Sequence, residues 1–240
     1  MNTRDQIYET NDGSLTLFNQ DISECYHSKG GAKWESEHLY IKSSGIEAFF
    51  ENHNTAVSSV LDVGLGLGYN ACTTIEAWMK SSGKKDLYLT SLEYDNTLIE
   101  SLATNSGRWQ KGWSETWQTW CSALTPAPGG KSATLRHPVS GKHLFWSIYS
   151  GNAKDVIETI STKSWTHIWQ DPFSPEKNPE LWSPEWFSIL KKNSGRDCRL
   201  MTYSVARQVK DALSLGGWAW KKIPASGPKR HWLEANPAES

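Results

Sequence analysis

Val60-Leu-Asp62-Val-Gly64-Leu-Gly66-Leu-Gly68-Tyr-Asn70 is the stretch on which the rest of the chain turns. The apolar residues Val57, Val60, Leu61 and Val63 suit a buried parallel strand, and Ala71 to Met79 continues as a helix. Glycines 64, 66 and 68 between them allow positive φ and let a ligand approach the backbone closely. The spacing is not the G-x-G-x-x-G of a dinucleotide pyrophosphate site. A second strand, Leu87–Leu92, ends in Glu93-Tyr94-Asp95. An acid at that strand end can accept hydrogen bonds from both hydroxyls of a ribose.

Asp62 followed by Gly64, Gly66 and Gly68 is the D/E-x-G-x-G-x-G spacing associated with S-adenosylmethionine (SAM), which carries no phosphate. Working outward, strands and helices alternate over 57–63, 70–80, 87–92 and 95–104, the rhythm of a parallel sheet with crossover helices. Residues 105–150 interrupt it as an insertion. Trp109, Trp113, Trp117 and Trp120 recur there at helical spacing, and burial against the sheet outweighs base stacking for such large apolar groups. Segments 133–137 and 142–149 flank Pro138-Val-Ser-Gly141 as a hairpin. Pro184 to Lys192 and Val205 to Leu215 read as helices, and 199–203 as a strand. Segments 218–223 and 231–235 close the sheet as an antiparallel pair. Before the glycine loop, residues 1–50 form an N-terminal extension in which the alternating Ser14–Phe18 pairs with Glu37–Lys42, followed by a helix over 44–53. Residues 51–240 form the main domain.

Trp165-Thr-His-Ile-Trp-Gln-Asp171 is a second strand-and-acid unit. Prolines 172, 175, 179 and 184 stiffen the loop behind it. A carboxylate at a strand's carboxyl end is placed where open α/β sheets bind ligands. The 240 residues suffice for one large α/β domain. With 25 basic and 26 acidic residues, net charge is −1, so nothing global marks a nucleic-acid binder, although a local basic patch remains compatible. Four dispersed cysteines without a C-x-x-C pair argue against a disulfide framework or zinc site. His27, His38, His167 and His231 lack metal-ligand spacing, so no metal is expected. The N-terminus is polar, unlike a signal peptide, and no apolar run is long enough for a bilayer, so a cytoplasmic protein is expected.

The assembled motifs resemble the methyltransferase domain of the enzymes that complete 5-methylaminomethyl-2-thiouridine at the tRNA wobble position. The resemblance spans nearly the whole chain. It rests on Tyr26-His-Ser28 with Gly31-Ala32 and Glu35-Ser36-x-His38, on Gly64-x-Gly66-x-Gly68-x-Asn70, and on Gly151-Asn-Ala153. It continues through Asp171-x-Phe173-x-Pro175-x-Lys177-Asn178-Pro179-x-x-Trp182 and Gly227-x-Lys229-Arg230. Departures include Asp171-Pro-Phe-Ser-Pro for the family's Asp-Gly-Phe-Ala-Pro, Asn152 for its Asp, and His231 for its Glu after Lys-Arg.

The resemblance implies a Rossmann-like, SAM-dependent methyltransferase fold, mostly parallel with an antiparallel final strand and a small N-terminal β-containing extension. It implies SAM as cofactor, the tRNA anticodon loop as partner, and 5-aminomethyl-(2-thio)uridine as methyl acceptor. Asp171 would orient the amine. The cofactor would be met by Asp62, Gly64, Gly66, Gly68, Asn70, Glu93 and Tyr94, by Asn152 and Ala153 at the adenine, and by Tyr26 and Ser28 folding over it. Phe173 or Trp182 would stack on a base, and Lys177, Lys229 and Arg230 would face phosphates. The larger enzymes' flavin domain has no counterpart in these residues, which implies a separate enzyme of the same pathway as a partner. Two alternatives stay open: a SAM methyltransferase acting on another amine, and a non-catalytic relative that binds SAM or RNA.

Overall fold

A computed structural model describes residues 6–52, 57–160, 164–225 and 230–239. Its main sheet has nine strands: β4 (Val57–Val63), β5 (Asp86–Glu93), β6 (Thr125–Ala127), β7 (Gly130–Arg136), β8 (His143–Ser150), β9 (Trp165–Gln170), β10 (Ser194–Thr202), β11 (Trp218–Pro224) and β12 (His231–Pro237). Their order is β11-β12-β10-β9-β4-β5-β8-β7-β6. The central five, β10-β9-β4-β5-β8, are parallel, and an antiparallel pair continues each edge. The segments read as a hairpin and as a closing pair both form, and β8 also serves as the outermost parallel strand.

Connecting helices α3 (Tyr69–Lys80), α4 (Asn96–Ala103), α5 (Glu115–Ser122), α6 (Ala153–Thr159), α7 (Pro184–Lys192) and α8 (Arg207–Leu215) cover the two faces. Strand side chains alternate between them: Val60, Leu89 and Met201 join the core beneath α3, while Leu61, Val63 and Leu200 join that beneath α7 and α8. No helix among the described residues is long and apolar enough to cross a membrane.

The N-terminal stretch departs from expectation. Here β1 (Gln6–Glu9), β2 (Leu15–Asn19) and β3 (Glu24–Cys25) make a small antiparallel sheet. Residues 37–42, expected to pair with β2, are instead π-helical over Ser36–Lys42, continuing α1 (Ala32–Glu35) and leading to α2 (Ile46–Glu51). The pairing fails because Leu39, Tyr40 and Ile41 are consecutively buried, which one face of a strand cannot do. Nor do the four tryptophans of the insertion share one helix: Trp109 lies in a short 3₁₀ turn and only Trp117 and Trp120 in α5. They are nonetheless buried, Trp113 partly.

Buried indoles also pin the loops above the sheet. Trp109 Nε1 donates to the Leu67 carbonyl at 2.8 Å, fixing the glycine loop. Trp186 Nε1 donates to Gln170 Oε1 at 3.0 Å, and Gln170 Nε2 in turn donates to the Leu181 carbonyl at 2.6 Å. Each such bond contributes about 1 kcal/mol, and together they hold the exit of β9.

Candidate functional site

The parallel strands run toward one edge, where β5 ends at Glu93 and β4, β8 and β9 are followed directly by Gly64, Gly151 and Asp171. A cavity of about 440 Å³ opens over these ends. The glycine loop forms its floor. Gly64 has φ +83°, and a β-carbon there would come within 2.9 Å of the Asp171 carbonyl oxygen and 3.0 Å of Pro172 Cα. Only glycine lets the two loops cross that closely. At Gly66 (φ +53°) the amide donates to Glu93 Oε2 at 2.7 Å, while Glu93 Oε1 accepts from the Asp95 amide at 2.8 Å.

Glu93 is therefore held by backbone on both oxygens and keeps acceptor capacity toward the cavity. Burial raises its pKa, against the backbone hydrogen bonds from Asp95, Gly66 and Tyr94 and with the Asp95 charge adding to the rise. Next to it Tyr94 is 78% exposed at the cavity rim. Asn152 and Ala153 enter from β8, and Asn152 Oδ1 caps α6 by accepting from the Lys154 amide at 2.9 Å. One acceptor site of Asn152 is thus spent on the helix, and its amide nitrogen stays available to a ligand.

Asp171 closes the far wall. Its amide donates to the Val63 carbonyl at 3.0 Å, extending the β9–β4 ladder by one residue. Its Oδ2 accepts from Asn70 Nδ2 at 2.7 Å, and Asn70 Oδ1 accepts from Ser36 Oγ at 2.6 Å. The π-helical segment and α3 thus orient the carboxylate from behind. Tyr40, on the same segment, has its pKa held well above the ordinary phenol range by burial and then by the Asp171 charge. Burial followed by that charge does the same to Tyr203, whose hydroxyl donates to the Pro172 carbonyl at 3.0 Å.

A second cavity of about 260 Å³ lies beyond Asp171, lined by Glu24, Ser28, Glu35 and Tyr203 among others. Tyr26, His27, Asp171, Pro172 and Phe173 border both cavities. The Tyr26 and Phe173 rings, 4.9 Å apart, form the partition. The N-terminal unit reaches over the site by a clamp: Ser174 donates from Oγ to Glu24 Oε2 at 2.7 Å and from its amide to Glu24 Oε1 at 3.2 Å.

Of the residues singled out from sequence, Tyr26, Gly64, Gly66, Glu93, Tyr94, Asn152, Ala153, Asp171, Phe173 and Lys177 all line the larger cavity. Ser28 lines the second. Gly68 lies away from both, facing Leu102 and Trp113, and Asn70 acts through Asp171. Asp62 is fully buried beneath the loop, lining neither cavity. Its Oδ2 accepts from Ser91 Oγ at 2.9 Å and Oδ1 has no hydrogen-bond partner. Burial pushes the Asp62 carboxyl up to about 7; the Ser91 hydrogen bond opposes this, and the charges of Asp171 and Glu93 add to it.

Trp182 corrects the stacking expectation. It is 4% exposed, and its Nε1 donates to the Phe173 carbonyl at 2.8 Å, so it braces the proline loop from inside. Arg230 is exposed, and Lys229 lies outside the described residues. Sequence reasoning gave no site role to Glu24, Tyr40 or Tyr203, and quoted Glu35 only as part of a motif. Tyr203 directly follows strand β10, a strand-end position that would have flagged it; nothing in the sequence pairs Glu24 with Ser174.

The sequence profile of a family described as S-adenosyl-L-methionine-dependent methyltransferase matches residues 115–238, more than half of the chain. The chain belongs to that family, and its cofactor is SAM. Among curated proteins it is similar to the tRNA 5-methylaminomethyl-2-thiouridine biosynthesis bifunctional protein MnmC of Azoarcus sp. (strain BH72), 27% identical over 219 residues, covering 91% of this chain and 33% of that protein. The MnmC of Leptospira interrogans (strain Fiocruz L1-130) is 27% identical over 244 residues, covering 94% and 36%. The chain thus spans about a third of the length of these relatives. The crystal structure of MNMC2 from Aquifex aeolicus shares the fold, with TM-score 0.77, 23% identity, and coverage of 98% of this chain and 71% of that one.

The residues present fit SAM. The larger cavity falls within the usual ligand range of roughly 300–1,000 Å³. Gly64 and Gly66 offer backbone without side chains, and the buried Glu93 carboxylate keeps acceptor capacity for a ribose.

Proposed function

We propose that this chain transfers a methyl group from SAM to the primary amine of 5-aminomethyl-(2-thio)uridine at the tRNA wobble position, giving 5-methylaminomethyl-(2-thio)uridine. The observation that carries this reading is the second cavity across Asp171 from the cofactor cavity, in a chain whose curated relatives are named for 5-methylaminomethyl-2-thiouridine biosynthesis. SAM supplies an activated methyl group. In the transfer the amine nitrogen bonds the methyl carbon, the carbon–sulfur bond breaks with its electron pair going to sulfur, and the nitrogen sheds one proton to water.

The protein's part is to bind, orient and exclude water. Glu93 takes the ribose hydroxyls, and Asn152 and Ala153 border the adenine. Tyr26 and Phe173, bordering both cavities, flank the path between cofactor and amine. Asp171 accepts a hydrogen bond from the amine and aims its lone pair toward the larger cavity. The hydrogen bond from Asn70 fixes one oxygen of the carboxylate in place, and a carboxylate close to the amine favours its charged form. Asp171 therefore acts as an orienting acceptor, and the amine must lose its proton before attack. A distinct enzyme that generates the aminomethyl group is part of the proposal.

The test is transfer of labelled methyl from SAM to tRNA bearing 5-aminomethyluridine, comparing wild type with Asp171→Asn. The variant should retain SAM binding and lose most transfer, and what remains should still rise with pH as the amine deprotonates. SAM binding without transfer to this tRNA by the wild type would move the acceptor to another amine. A pH dependence abolished in Asp171→Asn would make Asp171 the titrating base.

A further inference from the structure

We infer that the β11–α8 edge of the sheet is an RNA-backbone site, built by Lys210, Lys222 and Arg230 with Arg207 and Lys221 beside them. This rests on the proposal that the acceptor is a tRNA and says which face holds it.

The edge contrasts with the chain as a whole, whose net charge is −1. Register places its cations at the ligand end of the sheet. Thr202, the last residue of β10, pairs with Leu233 of β12, and Leu233 pairs with Lys222 of β11. Lys222 therefore stands two strand spacings, roughly 10 Å, from the strand end that delivers Tyr203 to the second cavity. Pro224 pairs with His231, and the Ala225 amide donates to the Arg230 carbonyl at 3.1 Å, so Arg230 stands at the same end.

Helix α8 runs back from that end along the same face. Trp218 lies in the core shared with Val209 and Leu213 of α8, so strand alternation puts Trp220 and Lys222 on the α8 side as well. Trp220 is fixed there. Its Nε1 donates to Ser214 Oγ at 2.9 Å, and Lys210 Nζ sits 5.7 Å from its ring centroid.

Two of the five cations have acidic partners: Arg207 with Asp211 at 3.6 Å, and Lys221 with Glu234 at 3.2 Å. Among the described residues, Lys210, Lys222 and Arg230 have no carboxylate within salt-bridge distance. Three uncompensated cations, spread along an edge that leads to the second cavity, match a run of phosphates on either side of a nucleotide inserted there. Each phosphate contact on a single strand contributes about 0.7 to the slope of log affinity against log salt. Three contacts then account for roughly 100-fold in affinity at about 0.1 M salt.

The experiment measures binding of tRNA bearing 5-aminomethyluridine across a salt series, with SAM affinity as the check on folding. Lys210→Ala/Lys222→Ala/Arg230→Ala should bind that tRNA roughly 100-fold more weakly near 0.1 M salt, with a slope shallower by about 2, at unchanged SAM affinity. Lys84→Ala/Lys192→Ala/Arg196→Ala removes equal charge from the opposite end of the sheet and should bind as wild type does. Equal behaviour of the two triple variants overturns the inference, as does a wild type that methylates the free aminomethyl nucleoside without binding tRNA. A wild type that binds tRNA through this edge without methylating it sustains the inference and overturns the proposed reaction.

Discussion

Asp62→Asn separates a buried neutral acid from a cofactor contact. Asp62 is fully buried, one carboxylate oxygen has only Ser91 and the other has no partner, and the folded protein holds its proton up to about 7. In the unfolded chain the same group ionises near its ordinary 3.8. Between those two pH values the unfolded state has released a proton that the folded state keeps, so stability falls as pH rises through the window. At 1.36 kcal/mol per pH unit, the loss across it reaches roughly 4 kcal/mol. Asparagine has nearly the same shape and cannot ionise, so the variant escapes this loss. Urea denaturation of both proteins from about pH 4 to 8 should give curves that cross, wild type at least as stable at the acid end and Asp62→Asn more stable at the alkaline end. Parallel curves would mean that folded Asp62 ionises normally, and the account of its burial would fail. Because Asp62 lines neither cavity, SAM affinity at neutral pH should change less than about threefold, well under 1 kcal/mol. A tenfold loss would return Asp62 to the cofactor contacts.

Gly64→Ala should lower stability by roughly 2 kcal/mol or more, because a left-handed alanine alone costs about 1–2 kcal/mol and its β-carbon would press on the Asp171–Pro172 backbone. Gly112→Ala has similar φ and open space, so thermal denaturation of the pair isolates the contact from the strain. Glu93→Gln should weaken SAM binding by roughly 10- to 100-fold in calorimetry, since charged acceptors hold hydroxyls by about 1.5–3 kcal/mol each. With the wild-type Glu93 pKa raised by burial, SAM affinity should also fall at less acidic pH than an ordinary carboxylate would dictate, and a flat profile down to pH 4 would contradict this. Trp182→Phe should cost about 1–2 kcal/mol through the orphaned Phe173 carbonyl and leave tRNA affinity unchanged. A variant of full stability with weakened RNA binding would restore Trp182 as a stacking platform.

The parallel core was legible because strand, glycine loop, helix and strand-end acid are local signals set by periodicity and by φ. Glu93 and Asp171 fell where they were expected because each ends a parallel strand. What escaped was set across long sequence distances. Glu24 bonds Ser174 over 150 residues, and neither side of that bond carries a local mark. The segment 37–42 has an apolar run of strand length yet winds as a π-helix, because packing on α3 buries three successive residues. The Trp182 indole looked like a base platform for want of knowledge that a backbone carbonyl nine residues away needed its N–H.

Asp171 shows why the two legible motifs had to be read together. The glycine loop lacks a side chain at Gly64 because the Asp171–Pro172 backbone crosses there, and Asn70, two residues beyond the last loop glycine, supplies the amide that holds the Asp171 carboxylate. Pro172 and Pro175 restrict the chain after it, and Tyr203 ties down the Pro172 carbonyl. The carboxylate is therefore oriented by the first turn of α3, directly behind the loop that floors the larger cavity, where it borders both cavities. A group positioned in this way gains little from being a strong base and much from pointing in one direction. That favours chemistry in which a nitrogen lone pair must be aligned with an already activated carbon.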